Sequence, residues 1–332
     1  MTTLPPWLVS LKLPMPATLG SVNVYLIRGP SGTALIDTGM NDATSRKQLS
    51  QQLGDLGLAL EDIDTVVCTH HHADHAGLGK TFNEAGAVTM MSAIDAESLE
   101  LFFKHPELDS ERATFFGRHA VPESFAERIA PMFPFFRGLT ERFTPTVLLE
   151  DGQEISLGGI RFQVLVTPGH TRGHICLKQD KGVLFTGDCI TPTGVTHVSM
   201  RQDIIGTDPL GGFIESLNGL REQDVPVVLS GHGPAINDLD ARIEDILAHH
   251  MARQGQVEEA LSVDTPRSAF DVSFDAMGAR SRSFARWLAM GQTLAYLEHL
   301  VRIGRVEQTE MDEGRYGYLR VAGPSSTTRS ED

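Results

Sequence analysis

Between Thr69 and Gly77 the chain reads Thr-His-His-His-Ala-Asp-His-Ala-Gly, with four histidines (His70, His71, His72, His75) and one carboxylate (Asp74) inside six residues. Imidazole is a ligand for zinc, iron, nickel or copper, and a carboxylate adds a harder oxygen donor. A loop at a strand's end can turn alternate side chains inward, so His70 and His72 can share one ion. Asp74 and His75, one step further, can face a second. Three more candidates lie downstream: His170 in Thr167-Pro168-Gly169-His170-Thr171, Asp188 in Phe185-Thr186-Gly187-Asp188, and His232 in Leu229-Ser230-Gly231-His232-Gly233. Each follows an apolar run that reads as a strand, and α/β folds place their ligand sites at strand ends. Neighbouring glycines let the backbone come close. A polar loop or a helix cap would explain any one of these segments. Their recurrence in order favours a metal centre.

These residues must be positioned by strands and helices. Val22–Ile27 and Thr33–Ile36 read as a hairpin around Gly29-Pro30-Ser31-Gly32. Helical spacing over Arg46–Leu58, a strand at Thr65–Cys68, a helix over Leu78–Ala85 and a strand at Ala87–Met91 give α/β alternation. A second set of strands is predicted at Val147–Leu149, Glu154–Leu157, Ile160–Val166, His174–Lys178 and Val183–Thr186, then a helix near Phe213–Leu220 and a strand at Val225–Ser230. Two similar α/β halves are the simplest reading. The N-terminal stretch Met1–Pro16, interrupted by Pro5, Pro6 and Pro14, has no basic start or long apolar run and does not read as a signal peptide. No strand is assigned to it.

Composition sets outer bounds. With 332 residues, 41% hydrophobic and 21% charged, the chain is an ordinary globular protein with a sizeable core. A formal net charge of −15 argues against non-specific attraction to nucleic acid or an anionic membrane. Three cysteines, an odd number, do not make a disulfide framework. Reduced thiols and a cytoplasmic location are expected, and no run reaches the roughly 18 apolar residues of a membrane helix.

The ordered series His-x-His-x-Asp-His, Gly-His, Gly-Asp, Gly-His, preceded by Asp37-Thr38-Gly39, resembles the metallo-β-lactamase-fold hydrolase superfamily, over about residues 19–234. The resemblance implies an α/β (α+β) fold, a four-layer αβ/βα sandwich with metals at one edge of two facing sheets. Carried over residue by residue, it assigns His70, His72 and His170 to one metal and Asp74, His75 and His232 to a second. Asp188 bridges both, and Asp37 orients a ligand by hydrogen bond. The cofactors are then two divalent ions, zinc first, with iron or manganese acceptable to the same donors. His71 is the odd one out and points away. A water between two cations loses its proton near neutral pH and becomes a nucleophile without a side-chain base. Asp74 can pass a proton to the leaving group. The reaction class is hydrolysis of an ester, thioester, lactone, amide or phosphoester.

A domain division follows: residues 1–250 catalytic, with a helical insert at about 93–144; residues 251–323 a small, mainly helical, winged-helix-like C-terminal domain; residues 324–332 a flexible tail. The insert holds nine of the 16 phenylalanines and reads as an apolar lid over a small-molecule substrate with an apolar acyl part. The C-terminal stretch from Arg253 has ten arginines, no lysine and twelve acids, so it reads as a structural or homodimer-forming tail rather than a DNA reader. Cys189 is expected to be a small buried hydrophobe, and His197, His249 and His250 ordinary surface or helix residues.

The leading function is a binuclear hydrolase of a thioester, ester or lactone in a glyoxalase-II-like branch. No glutathione-binding tail is recognisable, and no tyrosine lies between His170 and His232 as lactonases of this superfamily place one. A phosphodiesterase is disfavoured by charge and by the short 43-residue spacing from Asp188 to His232. A mono-iron persulfide dioxygenase is disfavoured by the full ligand set. A non-catalytic regulatory protein would lack a ligand, and none is missing.

Overall fold

The computed structural model describes residues 3–16, 20–104, 114–180, 182–201, 206–221, 223, 225–278 and 283–322. The tail expected at 324–332 lies outside the described residues. Two compact units are found. One comprises Met1–Glu107, Ala130–Val198 and Gly211–Leu247; the other comprises Leu108–Ile129, Ser199–Leu210 and Ala248–Asp332.

The first unit holds two sheets. The first runs in chain order β1 (Leu8–Pro14), β2 (Ser21–Gly29), β3 (Gly32–Ile36), β4 (Thr65–Val67), β5 (Val88–Ser92) and β6 (Val147–Leu149). β1 to β3 are antiparallel, and Pro30 and Ser31 alone join β2 to β3. β3 to β6 are parallel. Parallel neighbours need a crossover, and helices supply it. α1 (Ala43–Asp55) links β3 to β4; α2 (Ala73–Ala76) and α3 (Gly79–Glu84) lie between β4 and β5; α4 (Ala93–Lys104) follows β5. Asp42 starts α1 by accepting hydrogen bonds from the backbone N–H of Thr44 and Ser45.

The second sheet is ordered β11 (Val227–Ser230), β10 (Val183–Gly187), β9 (Ile175–Lys178), β8 (Ile160–Val166), β7 (Glu154–Leu157). Only its β10–β11 pair is parallel. Alternation along β2 explains how the layers stack. Tyr25 and Ile27 join Ile36 and Val67 against Phe162, Val164, Leu177 and Phe185 of the second sheet. Val24 and Leu26 face the other way, onto Leu49 and Leu53 of α1 and Phe82 of α3. Strands buried on both faces read as continuous apolar runs, which is why β2 and β10 look uniformly hydrophobic. The helix Pro209–Leu220 buries Phe213 and Leu217 and donates the Ser216 hydroxyl to the Pro168 carbonyl. The result is the αβ/βα sandwich anticipated from sequence.

β1 is an addition to the strands expected from sequence. Among the described residues it is an edge strand paired with β2 alone, and Pro14 is its last residue. An edge position tolerates a missing N–H. Both of its faces bury leucine: Leu11 and Leu13 lie with Leu49 and Leu53 of α1, and Leu8 lies on the other face with Tyr25 and Ile27.

The second unit contains the helices Glu123–Ile129, Ala269–Met277 and Ser283–Arg302 and the antiparallel hairpin β12 (Val306–Met311) and β13 (Arg315–Arg320). Phe116 packs on Trp287 at 4.0 Å between ring centroids, and Phe125 on Phe270 at 6.0 Å. Phe116 and Phe125 are buried within this unit's own apolar packing. His250 is a helix residue, within Leu239–Glu259; it is buried, and its Nδ1 lies 2.7 Å from the Tyr296 hydroxyl. In the first unit Phe143 fills the space beside Gly79, while Phe135 is 55% exposed. Cys68, Cys176 and Cys189 are all buried and unbridged, as expected of small apolar side chains. Among the described residues no helix is long and apolar enough to cross a membrane.

Candidate metal centre

Five strand ends converge in the first unit. Asp37 follows β3, the 70–75 loop follows β4, and His170, Asp188 and His232 follow β8, β10 and β11. β3 and β4 are parallel to each other, as are β10 and β11, so each pair brings its C-terminal ends to one edge.

The side chains meet there in two overlapping groups. His72 Nδ1 lies 3.1 Å from His70 Nε2 and 3.0 Å from His170 Nε2. On the other side, His232 Nε2 lies 3.3 Å from Asp74 Oδ2, and His75 Nε2 lies 3.5 Å from the same oxygen. Asp188 reaches both groups: Oδ1 is 3.4 Å from His75 Nε2, and Oδ2 is 3.4 Å from His232 Nε2 and 3.7 Å from His170 Nε2. The donor atoms of His70, His72 and His170 all lie within 4.8 Å of one another, as do those of Asp74, His75 and His232, and those of His70, His75 and Asp188.

The outer nitrogens are tied down. His75 Nδ1 is 2.8 Å from Asp37 Oδ2, His170 Nδ1 is 2.9 Å from the His197 carbonyl, and His232 Nδ1 is 2.8 Å from the Ser21 carbonyl. Each partner is an acceptor, so each Nδ1 carries a proton and each Nε2 is left facing inward. Asp37 also accepts from the Thr69 N–H at 2.8 Å. It is not the helix cap that an Asp-Thr-Gly turn can be; Asp42 takes that place.

Residues 17–232 match the metallo-beta-lactamase superfamily. The chain belongs to that superfamily. A relative from Bacillus subtilis (strain 168), named "Probable metallo-hydrolase", is 30% identical over 309 residues, covering 88% of this chain and 91% of that one. The crystal structure of a metallo-beta-lactamase family protein from Thermus thermophilus aligns with a TM-score of 0.82 and 31% identity, covering 96% of this chain and all of that one. An atrochrysone carboxyl ACP thioesterase of Aspergillus fumigatus is 25% identical over 247 residues, covering 73% of this chain and 60% of that protein.

Divalent metal suits this member of the superfamily on its own geometry. His75 Nε2 and Asp188 Oδ1 are buried without a hydrogen-bond partner. Orphaned buried polar atoms are costly, and an ion between them would satisfy both. Imidazole and carboxylate together suit zinc, iron or manganese. Space is limited: a Cβ at Gly231 would stand 2.6 Å from both Asp188 Oδ1 and His75 Cε1.

Without metal the cluster is a proton-sharing network. Burial lowers His70 and His170, the latter to about 4, so both are neutral at pH 7. Burial also opposes charge on His75 and His232, but the surrounding carboxylates outweigh it. Asp188, Asp74 and Asp37 raise His75, and Asp188 and Asp74 raise His232 to about 10. Both are therefore protonated at pH 7, and metal uptake must expel those protons. Metal affinity is expected to climb as pH rises from 7 towards 10. Calorimetric titration in buffers of different ionisation enthalpy measures the release directly, and uptake at pH 7 with no proton released would contradict this account.

Sequence reasoning missed two participants. His174 Nε2 accepts the Asp188 N–H at 3.1 Å, and its Nδ1 is 2.8 Å from Thr167 Oγ1. Its place four residues after His170 was the available signal. Asp95 left no signal in sequence; it lies 3.1 Å from Nδ1 of His71, the histidine expected to point away.

Proposed function

We propose that this metal-dependent hydrolase holds two divalent cations, zinc first and iron or manganese as alternatives, and cleaves a thioester or ester with an apolar acyl part. His70, His72 and His170 hold one cation, Asp74, His75 and His232 the other, and Asp188 serves both. The observation that carries this reading is the position of Asp188, with one carboxylate oxygen beside His75 and the other beside His232 and His170. Bound cations polarise the scissile carbonyl and acidify the attacking water. The chain's own groups do the rest. Asp37 fixes the His75 ring, and the carbonyls of His197 and Ser21 fix His170 and His232. Asp74 is held well below the usual carboxylate range: burial alone would raise it, and His75 and His232 outweigh that. An ionised Asp74 suits a group that takes a proton and hands it to the leaving group.

The acyl preference is supported by the fungal thioesterase among the relatives and by exposed Phe135 in the first unit. A lactonase-type tyrosine is not supplied by Tyr25, which is buried with its hydroxyl donating to the Ser230 carbonyl at 2.6 Å.

The test pairs elemental analysis with a panel of short- and medium-chain thioesters, esters, lactones and a phosphodiester, on wild type and His72→Ala. About two metals per chain, with thioester or ester turnover lost in the variant, supports the proposal. One iron without hydrolysis, or turnover of the phosphodiester alone, overturns it.

A further inference from the structure

We infer that Asp95 is a positioning residue that anchors one of the two metal-ligand groups, separately from Asp37. The inference rests on the reading of the cluster as a metal centre. Asp95 stands in the first turn of α4 and is fully buried. Its Oδ2 accepts the His71 N–H at 3.0 Å, lies 3.1 Å from His71 Nδ1 and accepts the Thr171 hydroxyl at 2.7 Å. Its Oδ1 accepts the Gly173 N–H at 2.8 Å. The Asp95 N–H is 3.2 Å from Ser92 Oγ, and that hydroxyl donates to the Gly173 carbonyl at 2.5 Å.

These partners come from two separate loops. His71 is the residue between His70 and His72, while Thr171 and Gly173 follow His170. The contact that joins those loops in the centre, His72 Nδ1 to His170 Nε2 at 3.0 Å, therefore has a carboxylate tying both backbones behind it. A buried carboxylate facing four donors is worth its desolvation only while all four are in place. Burial alone would raise Asp95, yet His71, Thr171 and Gly173 hold it well below the usual carboxylate range. Among the described residues Asp37 has no partner in the His170 loop: it serves Thr69 and His75. Asp37 reaches the first group only through the Thr69 hydroxyl, 3.1 Å from His70 Nδ1, whereas Asp95 ties the backbones on either side of the His72–His170 contact.

Selective loss follows. Partners that orient ligands without touching the metal contribute about 10- to 100-fold in affinity. Equilibrium dialysis with zinc, and visible absorption after cobalt substitution, are compared for full-length wild type, Asp95→Asn and the milder Thr171→Val. Asp95→Asn keeps the volume, and Thr171→Val removes one bond only. The expected result is one metal weakened about 10- to 100-fold in Asp95→Asn, with a changed cobalt spectrum and a second metal that titrates as in wild type. Thr171→Val should shift in the same direction by less. Two metals bound as in wild type by a folded Asp95→Asn, or equal weakening of both metals, overturns the inference. Should Asp95→Asn not fold, an unchanged Thr171→Val overturns it. Wild type without metal overturns the reading of the centre together with the inference.

Discussion

Asp188→Ala is expected to lose hydrolysis and to retain no more than about one metal per chain. The loss should exceed the roughly 100-fold that removal of an orienting partner costs, because Asp188 is itself read as a ligand. Geometry gives the reason. The carboxylate lies within 3.4 Å of His75 Nε2 and His232 Nε2 and 3.7 Å from His170 Nε2, so its removal acts on both groups at once. In the metal-free protein the same change removes the first support of the raised His232, whose ionisation should fall from about 10. His232 is raised when folded, so its contribution to stability is complete below about 6.5 and fades as pH rises towards 10. That contribution should shrink in the variant. Elemental analysis, steady-state kinetics and an NMR titration of the histidines check the three statements. An alanine variant with two metals and near-normal turnover would show that Asp188 is not shared.

Asp37→Ala is expected to destabilise the metal-free protein by about 3–5 kcal/mol. Asp37 is fully enclosed, with the Thr69 N–H, the Thr69 hydroxyl and His75 Nδ1 all pointing at its carboxylate. Alanine leaves those donors buried without an acceptor. Backbone geometry adds to the cost. Asp37 has φ of 65°, a left-handed conformation that aspartate and asparagine tolerate and alanine resists by about 1–2 kcal/mol. Asp37→Asn should relieve the backbone part while still disturbing His75, because an amide cannot accept from every donor present. Urea denaturation of the metal-free variants measures both, and a loss below about 1 kcal/mol for alanine would contradict this account.

Part of the molecule is legible in the residues alone. His70, His72, His75, His170, Asp188 and His232 stand out as candidate donors because metal chemistry restricts ligand types, and each follows an apolar run with a glycine close by; the fold brings them together. The helix and strand periods of the first unit are legible for a similar reason, since one face or both must be buried. β1 was hidden because prolines such as Pro14 are harmless only at a sheet edge, and edge position belongs to the assembled sheet. The phenylalanines between residues 93 and 144 show the limit of composition. Bulk apolar side chains suit a cover and a core equally, and only packing reveals Phe116 on Trp287 and Phe125 on Phe270.

By itself the sequence determined which candidate donors are present, in what order, and the α/β elements that carry them. Ligand identity and local spacing are properties of neighbouring residues. What only the tertiary structure decided is how those donors are held. Asp95 looks like any acid in a helix's first turn, a place where acids are common for electrostatic reasons. Its partners His71, Thr171 and Gly173 lie 24 to 78 residues away. His174 likewise acquires its role from the Asp188 backbone. Hydrogen bonds of that reach leave no periodic trace in a chain, because they depend on which strand ends the fold brings together.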